Sequence, residues 1–114
     1  MLGVFFEFQA WHKVVHWPTI KVMEFEWDLA KSNSCQVSRN FDFAYVIAVF
    51  ADPALLIEHD QRWDYGEERF RALGLIDGKV FVVIFTNRPK AIRMISARRA
   101  NLREVKRYEK NHSS

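Results

Sequence analysis

Hydrophobic and polar residues recur along the chain with two different periods, and the first segment to show one of them is helical. No helix breaker occurs between Asp28 and Asn40, and aspartate is a residue type that caps helix N-termini. Asparagine tolerates the left-handed conformation that closes a helix. A second helix is predicted over 43–50, with Asp42 as its N-cap and the Asp-Pro pair that follows as its end.

Extended segments follow, because the period changes to two. The Asp77-Gly78 pair is a strong hairpin signal between two of them. The strand after this turn is apolar on both faces, as a covered central strand should be. The four predicted strands are 55–58, 68–75, 79–86 and 91–97.

A helix over 98–111 closes the chain. Leu102, Val105 and Tyr108 recur every three residues and are predicted to form its inner face. The predicted order is two helices, a four-stranded and mostly antiparallel sheet, and a C-terminal helix. This order is typical of an α+β domain.

The composition sets the class of protein. The chain has 114 residues, of which 49% are hydrophobic, and one cysteine. It is long enough for one domain with a real core, and it has no run of apolar residues long enough to span a membrane. A single cysteine cannot form an internal disulfide, so we expect a soluble protein of the reducing cytoplasm. Residues 1–22 are expected to be an N-terminal extension, with Met23 as an alternative start, and 23–114 to be the domain.

Charge is distributed unevenly about a net value of +3. The segment 88–114 holds nine lysines and arginines against two glutamates, so its net charge is +7 and that of the first 87 residues is −4. Clustered basic residues favour a polyanionic partner, because they release counterions from phosphates. A solvated basic helix face would have the same composition, so charge alone leaves both interpretations open.

Three motifs occur in order along residues 23–110 and together resemble the BrnT toxins of bacterial type II toxin–antitoxin pairs. The first motif is Phe25-Glu26-Trp27-Asp28 with Lys31 and Phe50-Ala51-Asp52-Pro53, the second is Asp64-Tyr65-Gly66-Glu67-Glu68-Arg69-Phe70 with Gly74, and the third is Arg93-Met94-Ile95-Ser96-Ala97-Arg98-Arg99-Ala100 with Glu104 and Tyr108. The resemblance implies a RelE-like fold and a toxin that cleaves RNA, inhibits translation and halts growth. It also implies a BrnA-like ribbon-helix-helix antitoxin, operator DNA contacted only through that antitoxin, and no membrane.

The sequence departs from this family at the end of the first helix. The family usually has Asn and then Lys-His-Gly, and here Cys35 and Ser38-Arg39-Asn40 stand at those places. An imidazole that could shuttle protons is therefore missing, although Arg39 keeps a positive charge. A second interpretation follows: a catalytically inactive binding module that pairs with an antitoxin in operon autoregulation.

The chemistry that the residues support is RNA cleavage without a metal or cofactor. His12 and His16 have the spacing of a metal-binding pair, but no third ligand lies near them, and no glycine-rich phosphate loop occurs in the sequence. The 2′-hydroxyl of RNA can attack its own phosphate, and the planar fork of arginine can stabilise the charge that develops. The predicted catalytic residues are Arg69, Arg93, Arg98 and Lys31, and the predicted RNA-binding residues are Arg99, Arg103, Arg107 and Arg39.

Each catalytic candidate also has a structural interpretation. Arg93 alternates with apolar residues on its strand and could instead form an internal salt bridge with Glu67 or Glu68. Arg98 is predicted to open the last helix, where a cation is unfavourable unless an anion binds nearby; a solvated terminus is the alternative. Lys31 could equally be an ordinary surface lysine.

The sequence does not single out a general base. His59, Glu68 and Tyr108 are all conceivable, and Tyr108 is expected to be core instead because it lies on the inner face of its helix.

Overall fold

The fold combines one mixed β-sheet with three α-helices. The computed structural model describes residues 2–9, 20–61 and 66–113, with the side chains of 23–61 and 66–111. The elements are β1 (Leu2–Gln9), β2 (Ile20–Trp27), α1 (Leu29–Arg39), α2 (Phe43–Val46), a 3-10 helix (Ile47–Ala51), β3 (Leu56–Asp60), β4 (Arg69–Ile76), β5 (Lys79–Arg88), β6 (Ala91–Arg99) and α3 (Leu102–Ser113).

Five strands form the body of the sheet in the order β2-β6-β5-β4-β3, and β1 extends it beyond β2. All neighbouring strands are antiparallel except β2 and β6, which run parallel. The α+β class and the four strands predicted from sequence are confirmed. These four correspond to β3–β6. The predicted total is wrong, because two further strands, β1 and β2, precede the first helix.

Local signals located α1 and the hairpin correctly. The Asp28 carboxylate accepts hydrogen bonds from the backbone N–H groups of Ala30 and Lys31, and Asn40 closes α1 with φ 66°. Asp77 and Gly78 form the turn between β4 and β5 with φ values of 51° and 78°. Both residues are therefore left-handed, as a type I′ hairpin turn requires.

Two helix boundaries differ from the prediction. The segment 43–50 forms one α-helical turn that tightens into the 3-10 helix, so the regular helix ends at Val46. The last helix begins at Leu102 and not at residue 98, because β6 continues through Arg99. Leu102 was expected on the inner face of α3 and is 68% exposed, whereas Tyr108 is buried as predicted.

Each face of the sheet carries its own core. Side chains of β2, β5 and β6 pack under α1 and α2 on one face, in a cluster that includes Phe25, Trp27 and Phe81. On the other face Leu73, Val80, Val82 and Ile84 pack with Tyr108 of α3. The central strand β5 contributes to both clusters, which confirms that it is covered on both faces.

The division at residue 22 falls inside β2, which pairs along its length with β1. Residues 10–19 of the predicted extension lie outside the described part of the chain. The division into an extension and a domain stays a prediction.

Candidate active site

Arg69, Arg93 and Arg98 project from the same face of the sheet, the one that carries α3; we call it the arginine face. The Cα partner of Arg98 is Val82, whose side chain packs in the α3 core. Arg93 and Arg98 are five residues apart, a spacing that would place them on opposite faces of a regular strand. An irregularity in the pairing at Ile84/Phe85 shifts the register, and this shift brings the two arginines to one face.

Two of these arginines form long ion pairs. Arg69 lies 3.5 Å from a Glu67 carboxylate oxygen, and Arg93 lies 3.8 Å from one of Glu26. Both arginine side chains are about one-fifth exposed, at 22% and 23%. Partly exposed ion pairs of this length contribute on the order of 1 kcal/mol or less.

Arg98 is bound much more tightly. Its Nη1 and Nη2 donate to the two carboxylate oxygens of Glu104 at 2.7 and 2.8 Å. Glu104 also forms a capping box with Asn101: each backbone N–H donates to the other side chain at 2.9 Å. The hydrogen bond from Arg98 lowers the pKa of Glu104. The prediction that Arg98 opens the last helix is wrong, since it lies in β6 and its charge is neutralised within the chain.

A second pair of arginines meets at Glu58 on the same face. Arg107 of α3 donates two hydrogen bonds to Glu58, at 2.8 and 2.9 Å, and Arg71 of β4 donates a third at 3.3 Å. Arg71 also contacts the buried Asp60 at 3.1 Å. The hydrogen bond from Arg107 lowers the pKa of Glu58 and raises that of Arg107. Arg107 thus tethers α3 to β3, and the exposed Arg103 lies one helical turn before it.

The remaining basic candidates lie on the opposite side of the sheet, with α1. Lys31 is exposed on α1. Arg39 donates a hydrogen bond to the backbone carbonyl of Ala97 at 3.3 Å, and the Arg99 guanidinium lies 5.7 Å from the Phe81 ring centroid. The structure therefore divides the predicted residues between two faces: Arg69, Arg93, Arg98, Arg103 and Arg107 on the side of α3, and Lys31, Arg39 and Arg99 on the side of α1.

None of the general-base candidates from sequence can serve as a base on the arginine face. His59 and Glu68 lie on the other face, and Tyr108 is buried in the core beneath α3. His59 pairs with Phe70 across β3 and β4, and its Nε2 lies 3.1 Å from Glu68, on the side away from Arg69. The Tyr108 hydroxyl donates to Asp52 at 2.5 Å inside the structure, and burial raises its pKa.

Two further residues considered from sequence are structural. Trp27 is 1% exposed and packs edge-on against Phe43, so it anchors the core and cannot stack on a base. The Cys35 thiol is buried, donates weakly to the Ala97 carbonyl at 3.7 Å, and has its pKa raised by burial.

Comparison with known families gives a decisive match. The family model described as "Ribonuclease toxin, BrnT, of type II toxin-antitoxin system" matches residues 27–104, well over half of the chain. The protein belongs to the BrnT family. The match to BrnT begins at the end of β2 and ends in the first turn of α3, so it includes Arg69, Arg93 and Arg98. A search of curated proteins found no match.

Two further features of this BrnT toxin concern metals and membranes. No group of three or more His, Cys, Asp or Glu side chains is placed to hold a metal ion within the ranges 23–61 and 66–111. None of the helices that the structure describes is long and apolar enough to cross a membrane. Residues 62–65, which include the start of the second BrnT motif, lie outside the described residues.

Proposed function

We propose that this BrnT protein is a metal-independent endoribonuclease that inhibits translation and growth, and that it cuts RNA on the arginine face. The observation that carries the proposal is that Arg69 and Arg93 project from that face, each in a long ion pair. They come from β4 and β6, which flank β5, so one phosphodiester can lie across the central strand between them.

The reaction needs little from the protein beyond position and charge. The ribose 2′-hydroxyl attacks the adjacent phosphorus, and negative charge accumulates on the phosphate oxygens. Arginine remains protonated at every working pH, and its fork can bind two phosphate oxygens at once. Loss of one such stabilising group costs on the order of 100- to 1000-fold in rate. Arg103 would extend the contact along the RNA backbone, and Arg98 and Arg107 would hold α3 in place.

The partners follow from the family. A type II toxin has an antitoxin partner and an RNA target. We propose that the antitoxin here is a BrnA-like ribbon-helix-helix protein that neutralises the toxin and represses their operon in the cytoplasm, so that the toxin meets operator DNA only through it.

One observation favours the alternative, a binding module without activity. Six arginines are paired with carboxylates of the same chain, so RNA must compete for every one of them: Arg69, Arg71, Arg88, Arg93, Arg98 and Arg107. The departure at Arg39 gives less support to this alternative, because Arg39 contacts Ala97 on the face of α1.

The test uses the full chain with labelled RNA in excess EDTA. We expect the wild type to cut and Arg93→Ala to lose at least 100-fold in rate. Lys79→Ala is the matched control, since Lys79 is an exposed cation at the far end of β5 and should leave the rate unchanged. RNA binding without cleavage by the wild type would instead support the binding module.

A further inference from the structure

The proposed reaction needs a group that accepts the proton of the 2′-hydroxyl. On the arginine face Tyr108 is buried and hydrogen-bonded to Asp52, so we consider the carboxylates among the described residues for this task. We propose that Glu26 is the general base. This proposal rests on the proposed ribonuclease function and deepens it by naming a residue that is not among the catalytic candidates predicted from sequence.

Most carboxylates of this face are already engaged. Glu58 accepts three hydrogen bonds from two arginines, and Glu104 accepts two from Arg98 and one from the Asn101 N–H. Asp60 is buried against Arg71. Protonating any of them would break these charge-assisted bonds.

Glu67 is also a poor proton acceptor. It lies between two arginines, 3.5 Å from Arg69 and 3.3 Å from Arg88. Both cations favour the charged carboxylate, so a proton would have to displace two ion pairs.

Glu26 differs from these residues in being weakly engaged. Its one ion pair within the described residues is the 3.8 Å contact with Arg93, and its side chain is 23% exposed. It can therefore accept a proton with little loss, and a substrate can reach it.

The position of Glu26 also fits the reaction. Glu26 and Arg93 are Cα partners on the parallel strands β2 and β6, so their side chains leave the sheet side by side. A phosphate bound by Arg93 lies next to the Glu26 carboxylate, and the 2′-hydroxyl of the same nucleotide adjoins that phosphate.

The step can be written in full. A Glu26 carboxylate oxygen takes the proton of the 2′-hydroxyl while the 2′-oxygen forms a bond to phosphorus. The bond from phosphorus to the 5′-oxygen breaks, and that oxygen takes a proton from water. The products are a 2′,3′-cyclic phosphate and a 5′-hydroxyl, and the Glu26 proton returns to solvent.

The experiment compares Glu26→Gln with Glu24→Gln in the full chain. Glu24 is two residues earlier on β2 and half-buried, so the control makes the same charge change on the same strand and face. We expect Glu26→Gln to lower kcat by about 100-fold or more, the range for loss of a general base, and to leave KM within a few-fold. The acid limb of the wild-type pH–rate profile should disappear in Glu26→Gln and persist in Glu24→Gln.

A conservative variant and a melting curve separate catalysis from folding. Glu26→Asp keeps the carboxylate, so it should retain the acid limb at a reduced rate, and all variants should melt cooperatively. A cutting wild type whose rate and acid limb survive Glu26→Gln would overturn this proposal and leave the ribonuclease function intact. A wild type that cuts no RNA would overturn both.

Discussion

The Glu104 carboxylate makes two interactions: it caps the last helix and it pairs with Arg98. Two replacements of Glu104 can therefore separate what each interaction contributes to the free energy of unfolding. Glu104→Gln keeps an amide oxygen that can complete the capping box with Asn101, but it removes the charge that pairs with Arg98. Glu104→Ala removes both interactions. The Asn101 side chain can still accept the hydrogen bond from the backbone N–H at residue 104 in either variant.

The magnitudes follow from the geometry. The bidentate pair is short, but the Arg98 side chain is 33% exposed and therefore screened, so we assign it about 2 kcal/mol in the free energy of unfolding. The reciprocal cap adds about 1 kcal/mol. We expect a loss of about 3 kcal/mol for Glu104→Ala and about 2 kcal/mol for Glu104→Gln.

The assay is urea unfolding followed by circular dichroism, with Arg98→Ala and the double variant Arg98→Ala/Glu104→Ala completing a cycle. We expect a coupling free energy of about 1–2 kcal/mol between the two sites. A coupling indistinguishable from zero would refute the assignment of the stability to the ion pair. Equal losses for the two Glu104 variants would refute the contribution of the cap.

Two other predictions concern the fold. A Cβ at Gly74 would lie 2.8 Å from both the carbonyl oxygen and the Cγ1 of Val49. Gly74→Ala should therefore lower the free energy of unfolding by about 1–3 kcal/mol in thermal or urea unfolding. Unchanged stability would show that β4 and the 3-10 helix can move apart without cost. The pKa values of Glu58 and Glu104 are lowered in the folded state. The two carboxylates therefore stabilise the fold at pH values above their ordinary pKa of 4.5, and this stabilisation is lost as the pH falls through their pKa values in the folded protein. The urea midpoint should therefore drop steeply below about pH 4.5, and a flat midpoint down to about pH 3 would contradict this.

Sequence reasoning succeeded where the signal is local. Asp28 and Asn40 fixed both ends of α1 because capping depends on residues within one turn, and Asp77-Gly78 fixed its hairpin for the same reason. The Asn101-x-x-Glu104 pattern is an equally local capping signal that the prediction did not use. It indicates that the last helix begins after Asn101 and not at Arg98.

The rest depended on contacts between residues far apart in the chain. The strand pattern of β2 is short: two glutamates alternate with Met23, Phe25 and Trp27. Part of it coincides with the family motif, so it was not interpreted as a strand. Without β2, nothing pointed to the role that we propose for Glu26. The pairing of Arg93 could not be predicted either. Several glutamates were equally suitable by charge, and only the parallel contact of β2 with β6 selects Glu26.

The central claim is that the RNA supplies its own nucleophile and the arginine face supplies the charge. The most direct measurement uses two synthetic RNAs in excess EDTA, one all-ribo and one with a single 2′-deoxynucleotide at the cut position. We expect the all-ribo RNA to be cut to a 2′,3′-cyclic phosphate end and the deoxy substitution to abolish cleavage at that position. Cleavage of the deoxy-substituted RNA at the same bond would contradict it.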